Sequence, residues 1–352
     1  MKKFIVLLLV FALSAGFIFA GGEGETTEGV KVRAAKIASE EIEGDFMTVW
    51  ANNFADEMRD YTNGGLDFTI YPYGTIGDTR DINELAQLGV VEGVFTDFAW
   101  ISAFVPEVQV LALHYLWPKE KMPQVLEHVV KNGKFMPFLE EKFRKKGLVP
   151  LGIVYEGWQW MTGQDPVESM ADLKGVKTRV MGSKLLVEDY RAYGMSPTPM
   201  SYGEVYSALQ TGLIDAQVNP LFADYSMKFY EVTEYFTQFW AEPFLGIPTL
   251  NMQFYDSLDA ATQQKMKDYW ADAIVPSAEW IDELNAKDKE LIKQEKPSIV
   301  FHELDDAAIA ELKEAAKTVV PVYLDVVGDE AQMILDLLRA DIEAAKAAVG
   351  VK

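Results

Sequence analysis

The stretch Ser169 to Pro220, SMADLKGVKTRVMGSKLLVEDYRAYGMSPTPMSYGEVYSALQTGLIDAQVNP, decides how this chain is read. Asp172-Leu173-Lys174-Gly175 is a turn feeding a short strand, Lys177 to Val180, with Arg179 inside it. Ser183 to Tyr193 carries helical spacing and is ended by Gly194. Ser201 opens a second helix with Glu204 three residues on, a capping-box pattern, and Gly212 closes it. Ile214 to Val218 is again strand-like and stops at Asn219-Pro220. Strand, helix, helix, strand in this rhythm implies parallel strands with covering helices, the α/β class. An arginine in an apolar strand needs a reason, because burying an unpaired guanidinium is costly. Its planar fork suits a ligand carboxylate, or a structural ion pair with one of the chain's many acids, and chemistry alone leaves both open.

The same rhythm extends in both directions. Val30 to Ala38, Leu66 to Tyr71 and Val90 to Phe95 read as strands, separated by helical patterns at Gly44 to Tyr61 and Asp81 to Leu88. A longer helical region runs from Lys119 to Lys146, and Leu148 to Tyr155 is the next strand. From Ser257 to Lys293 the pattern stays helical with Pro276 as the expected kink, long enough to lie across two units. Ser298 to His302 returns as a strand, and two charged helices, Asp305 to Val326 and Asp329 to Ala348, finish the chain. The expected division is residues 30–150 as a first α/β domain, completed by about 241–352 including the long helix, with 151–240 as the second.

Composition narrows the function. The chain has 352 residues and no cysteine, which excludes disulfides, thiolate nucleophiles and cysteine–metal sites. With 54 acidic against 32 basic side chains its formal charge is −22, a field that repels phosphate backbones, so nucleic acid is not an expected partner. Met1-Lys2-Lys3 followed by an apolar run from Phe4 to Ala20 reads as a signal peptide, residues 1–20, and the competing reading is an uncleaved anchor helix. Gly21 to Gly29 is then a flexible, acidic leader. An exported mature protein is the expectation. Nucleotide loops, a nucleophile elbow and Ser-x-x-Lys are missing from the sequence, and His114, His128 and His302 are far apart in it. No cofactor, metal site or catalytic residue is expected, although carboxylate pairs of a hydrolase would be invisible among so many acids. Two α/β units in an exported protein suggest a hinged molecule closing on a ligand between them.

The runs Asp172 to Val180, Gly194-Met-Ser-Pro-Thr-Pro-Met200, Gly203 to Gly212 and Asp215 to Pro220 together resemble the solute-binding subunit of TRAP (tripartite ATP-independent periplasmic) transporters, the DctP family. The resemblance implies a two-domain periplasmic binding protein fold, with the ligand cleft between the domains and a long helix spanning both. Its implied role is to capture a small organic acid and deliver it to the transporter's membrane subunits, acting as a monomer. Arg179 stands where the family clamps a substrate carboxylate, and Asn219 where an asparagine hydrogen-bonds the ligand. Tyr202 matches an aromatic that packs on it, with core packing as the alternative. Met181 and Ser183 fall where ligand-facing residues lie. Many members carry a second arginine upstream; here Gly157-Trp158-Gln159-Trp160 fills that segment and uncharged Gln159 takes its place. That favours a monocarboxylate, with Trp158 as part of an aromatic wall or of the core. A carrier or receptor for apolar ligands on the same fold is the alternative. Topology places Asp97, Trp100, Glu40 and Glu41 at the cleft side of the first domain.

Overall fold

The computed structural model describes residues 32–351, so the expected signal peptide and leader lie outside it. Two six-stranded sheets carry the architecture. The first contains β1 (Arg33–Ser39), β2 (Leu66–Tyr71), β3 (Gly93–Asp97), β4 (Leu148–Pro150), β5 (Val154–Trp158) and β11 (Pro243–Asn251), in the order β2-β1-β3-β11-β4 with β5 also on β11. The second contains β6 (Trp160–Gly163), β7 (Lys177–Val180), β8 (Ser196–Pro199), β9 (Ala216–Asn219), β10 (Tyr235–Gln238) and β12 (Val300–Glu303), in the order β12-β10-β6-β9-β7-β8. β1 pairs in parallel with β2 and β3, and β7 with β8 and β9, as the strand–helix rhythm requires.

The helices are α1 (Phe46–Tyr61), α2 (Thr79–Gln87), α3 (Phe98–Ile101), α4 (Met122–Asn132), α5 (Phe135–Arg144), α6 (Lys184–Ala192), α7 (Val205–Gln210), α8 (Leu221–Ser226), α9 (Met252–Asp256), α10 (Ala260–Glu295), α11 (Asp306–Ala316), α12 (Val320–Val327) and α13 (Ala331–Val349). α1 forms because Phe46, Ala51, Phe54 and Met58 recur on one face and are all fully buried. Phe54 packs edge-on to Phe95 of β3 at 5.8 Å, and Phe95 edge-on to Trp270 of α10 at 5.0 Å between ring centroids. Each such ring contributes about 1.5–3 kcal/mol of burial, which welds α1, the first sheet and α10 into one layer stack. α10, with 36 residues, packs on both β5 and α8 and so touches elements attached to each sheet.

Several expectations need correction. The sheets are mixed rather than parallel: β11 runs antiparallel to β3, β4 and β5, and β6 antiparallel to β9 and β10. The single strand expected over 148–155 is broken, since Leu151 turns out to donate its N–H to the Pro248 carbonyl at 2.7 Å between β4 and β5. β12 joins the second sheet beside β10, so the C-terminal third of the chain serves both sheets. Among the described residues Ser201 makes no capping bond; residues 202–204 form a 3-10 turn and the Ser201 hydroxyl donates to Asp78 Oδ2 at 3.3 Å instead. The chain passes between the sheets three times, from β5 to β6 through Gln159 alone, from β10 to β11 through 239–242, and from β11 to β12 by way of α9 and α10. The first two crossings lie side by side, with the Gln159 N–H donating to the Glu242 carbonyl at 3.1 Å.

Candidate ligand-binding site

The carboxyl ends of β1, β3, β7 and β9 all open onto one cavity between the two sheets. This is where parallel α/β sheets hold ligands, because the loops leaving the strands converge there. Glu40 and Glu41 follow β1, Asp97 ends β3 and caps α3 through Oδ1, which accepts the Trp100 N–H at 2.7 Å. From the second sheet come Arg179 and Met181 at the end of β7, Tyr202 after β8, and Asn219 at the end of β9. Phe222 of α8 and Phe244 of β11 complete the aromatic wall with Trp100 and Tyr202.

Arg179 is the cation of the cavity. It is 1% exposed, and its Nε donates to the Met200 carbonyl at 3.0 Å, which aims the rest of the fork inward. Nη1 is buried and has no hydrogen-bond partner among the described residues. Burial pulls its pKa below the ordinary arginine value, and the charge of Asp97 pulls it back up. Asn219 donates its amide Nδ2 to Gln217 Oε1, which holds it at the cavity edge.

Three carboxyl groups line the cavity with this one guanidinium, and Asp97 and Glu40 act on its charge. Glu40 Oε2 accepts from Thr96 Oγ1 at 2.8 Å, while Oε1 is buried without a partner among the described residues. Glu41 Oε2 accepts the Met47 N–H at the start of α1 at 2.5 Å. Burial pushes Glu41 up to about 7 and Asp97 up to about 7, and raises Glu40 well above the carboxylate range with the negative Asp97 adding to it. The cavity therefore pairs one anion-binding fork with several groups that want a cation.

Contacts from one sheet's loops to the other's close the cavity. The Tyr73 hydroxyl accepts the Gly203 N–H at 3.0 Å, and Ser226 Oγ donates to Asp45 Oδ2 at 2.9 Å. Tyr73 also packs edge-on to Tyr202 with centroids 5.8 Å apart. At Gly182 the approach is tighter: a Cβ there would lie 2.5 Å from two ring atoms of Trp100. We expect Gly182→Ala to hold the two sides apart and to weaken ligand binding by on the order of tenfold or more, since the indole is walled in and overpacking costs about 1–3 kcal/mol. Titration calorimetry of the variant measures it; unchanged affinity would mean that closure does not need this contact.

Of the residues singled out in the sequence, Arg179, Asn219, Tyr202, Met181, Asp97 and Trp100 are brought together here, with Glu40 and Glu41. Three others do not line this cavity. Ser183 caps α6, its Oγ accepting from Leu185 N at 3.2 Å and donating to Gln109 Oε1 at 3.1 Å. Gln159 is buried at the β5–β6 crossing, its amide atoms without partners among the described residues. Trp158 packs edge-on to Trp240 at 5.7 Å in a separate cavity. Phe222 and Phe244 were missed; the signal for Phe222 was its place two residues after Asn219-Pro220.

The sequence matches the profile of the bacterial extracellular solute-binding proteins, family 7 (DctP), over residues 37–325. It is 34% identical to the ectoine/5-hydroxyectoine-binding periplasmic protein UehA of Ruegeria pomeroyi, over 88% of this chain and 90% of that protein. The fold superposes with a TM-score of 0.83 on the periplasmic ectoine-binding protein of the TeaABC TRAP transporter of Halomonas elongata, at 32% identity, covering 89% of this chain and 100% of that one. A TRAP periplasmic solute-binding protein from Desulfovibrio salexigens, solved with bound orotic acid, gives a TM-score of 0.83 at 27% identity, covering 89% of this chain and 99% of that one. With its fold, its cavity at the strand ends and this match along most of its length, the chain belongs to family 7 of the bacterial extracellular solute-binding proteins, the solute-binding proteins of TRAP transporters.

Proposed function

We propose that the protein binds a small zwitterion of the ectoine type: a carboxylate and a delocalised cation on one compact ring. One observation carries this reading. A single guanidinium, with an N–H that has no partner among the described residues, and three carboxyl groups line the same cavity. A carboxylate on Arg179 and Asn219 satisfies the fork. The ligand's cationic nitrogens then meet Glu40, Glu41 and Asp97, and its ring lies among Trp100, Tyr202, Phe222 and Phe244. A plain monocarboxylate, favoured by the uncharged Gln159, satisfies Arg179 but leaves the carboxyl groups facing apolar surface. A dicarboxylate adds a second negative charge beside them. Two relatives named for ectoine binding agree with the zwitterion.

In this reading the protein is exported to the periplasm, binds without turning its ligand over, and presents the closed, loaded form to the transporter's membrane subunits. Residues 30–150 and 151–240 centre the two lobes that close. The test is titration calorimetry of the mature protein with ectoine, 5-hydroxyectoine, benzoate, orotate and succinate near neutral pH. Ectoine or its hydroxylated form should bind at least tenfold more tightly than any of the acids, and be recovered intact. Tighter binding of orotate, benzoate or succinate would overturn the zwitterion assignment.

A further inference from the structure

Beneath Glu41 lies a carboxyl group that the binding reading does not use. Glu156, in β5, is 0% exposed, and among the described residues neither of its oxygens meets an N–H or O–H donor. It acts directly on the Glu41 carboxyl, and the packing puts the two together: Glu156 Oε1 and the Cε of Met47 crowd the same point over Gly246, and Glu41 accepts the Met47 N–H. Two carboxyl groups can keep that contact only if one of them holds a proton. Glu156 cannot back away: a Cβ on Gly246 of β11 would sit 2.3 Å from its Oε1, so the strand behind it is already in contact. The partition of the proton follows from the surroundings. Glu41 accepts an N–H at the start of α1, where the helix end favours negative charge, whereas the charged groups that act on Glu156 are all acids.

We propose that Glu41 and Glu156 share a proton under the cavity, and that entry of the ligand's cationic group expels a proton from this pair and the adjoining acids to solvent, so that loading of the site is proton-linked. The proton leaves for the buffer, and the negative charge it uncovers neutralises the arriving cation. Further titratable groups face the pair, among them Tyr202, which acts on Glu41 and Asp45. Glu40 lies beside Glu41, Asp45 stands at the start of α1, and Asp97 ends β3. Across the cavity Arg179 acts on Asp97 and Glu40, and Glu242 ahead of β11 adds negative charge toward Asp97. On α10, Asp288 faces Asp45 with Lys287 beside it. One cation against this many acids leaves protons that a second cation can displace. Burial, the largest cause of the upward shifts, places Glu41 and Asp97 near 7, so the exchange falls in the neutral range.

The sign is fixed by those upward shifts. Groups with raised folded-state pKa values stabilise the ligand-free protein at low pH and stop doing so as pH climbs through the neutral range. Ligand affinity runs the other way, because protons compete with the cation. The proposal deepens the zwitterion reading, and its test has one arm that needs no ligand. In that arm, thermal midpoints of the ligand-free protein are followed from pH 5.5 to 8.5 for wild type, Glu156→Gln, Glu41→Gln and the double variant. Wild type should lose stability as pH rises. Each single variant should flatten that slope, and the double variant should flatten it no further than the singles. Parallel slopes in wild type and either folded single variant overturn the shared proton, and Glu41→Gln decides alone if Glu156→Gln does not fold. In the second arm, ectoine is titrated calorimetrically at pH 7 in phosphate and in Tris. A buffer-dependent heat should report proton release in wild type, reduced by half or more in Glu156→Gln. Equal heats in the two buffers for wild type overturn the proton linkage. Absence of any ectoine binding sinks the zwitterion reading instead, and the ligand-free arm still decides on the pair.

Discussion

Arg179→Ala should weaken ectoine binding by about 2–5 kcal/mol, roughly 30-fold to several thousandfold, the cost of removing one side of a buried, hydrogen-bonded charge pair. The size of the effect follows from how the residue is held. Buried Thr178 and Val180 on either side of it in β7 fix its Cα, and the bond from Nε to the Met200 carbonyl fixes the plane of the guanidinium. Little ordering therefore remains to be done when the carboxylate arrives, and Nη1 gains its first partner. The variant also leaves Glu40, Glu41 and Asp97 without their one nearby cation, so an entering carboxylate would meet only like charge. Arg179→Lys keeps a charge but loses both the fork and the Met200 anchor, and should still cost on the order of tenfold or more. Calorimetry gives the affinities, and a thermal melt of each ligand-free variant separates binding from folding. Affinity within tenfold of wild type for Arg179→Ala would remove the arginine as anchor.

Glu40→Gln is the second large effect, and its size should depend on the ligand. The substitution keeps size and an acceptor for Thr96 Oγ1, but it removes a carboxyl that can give up its proton to an arriving cation and whose second oxygen has no partner among the described residues. Hydrogen bonds to charged groups contribute about 1.5–3 kcal/mol, so ectoine should bind roughly 10- to 150-fold more weakly. A monocarboxylate such as benzoate should bind the same variant about as well as wild type, because burial already holds Glu40 protonated in the ligand-free cavity. The contrast between the two ligands is the diagnostic part. If both ligands weaken together, Glu40 is holding the loop after β1 rather than reading charge.

The residues that carry this site differ in how visible they are from sequence, and the reasons are physical. Arg179 and Asn219 are legible as residues at or near the end of short strands inside a compact run of turns and helices, and the resemblance to the family is what marked them as ligand-facing. Glu40 and Asp97 are legible one step further on, since the carboxyl ends of neighbouring parallel strands share a face. Phe244 was not legible because β11 is buried on both sides along its whole length, leaving no alternation to read. Pro243 and Pro248 also argue against a strand there. Gln159 was misplaced for a different reason. Its neighbours belong to different sheets, Trp158 pairing with β11 and Trp160 with β9, and a one-residue crossing leaves no periodicity to carry across it. Ser201 and Ser183 show the same limit in opposite directions. A capping pattern at Ser201 lost to a tertiary bond with Asp78, while a residue expected to face the ligand at Ser183 became a helix cap.

The measurement that bears most directly on the account is a crystal structure of the protein grown with ectoine. The ligand's carboxylate should lie within hydrogen-bond distance of Arg179 and Asn219, with its ring nitrogens turned to Glu40, Glu41 or Asp97 and its ring among Trp100, Tyr202, Phe222 and Phe244. A ligand bound with its carboxylate away from Arg179, or seated outside this cavity, would contradict the reading of one guanidinium and three acids as a zwitterion site.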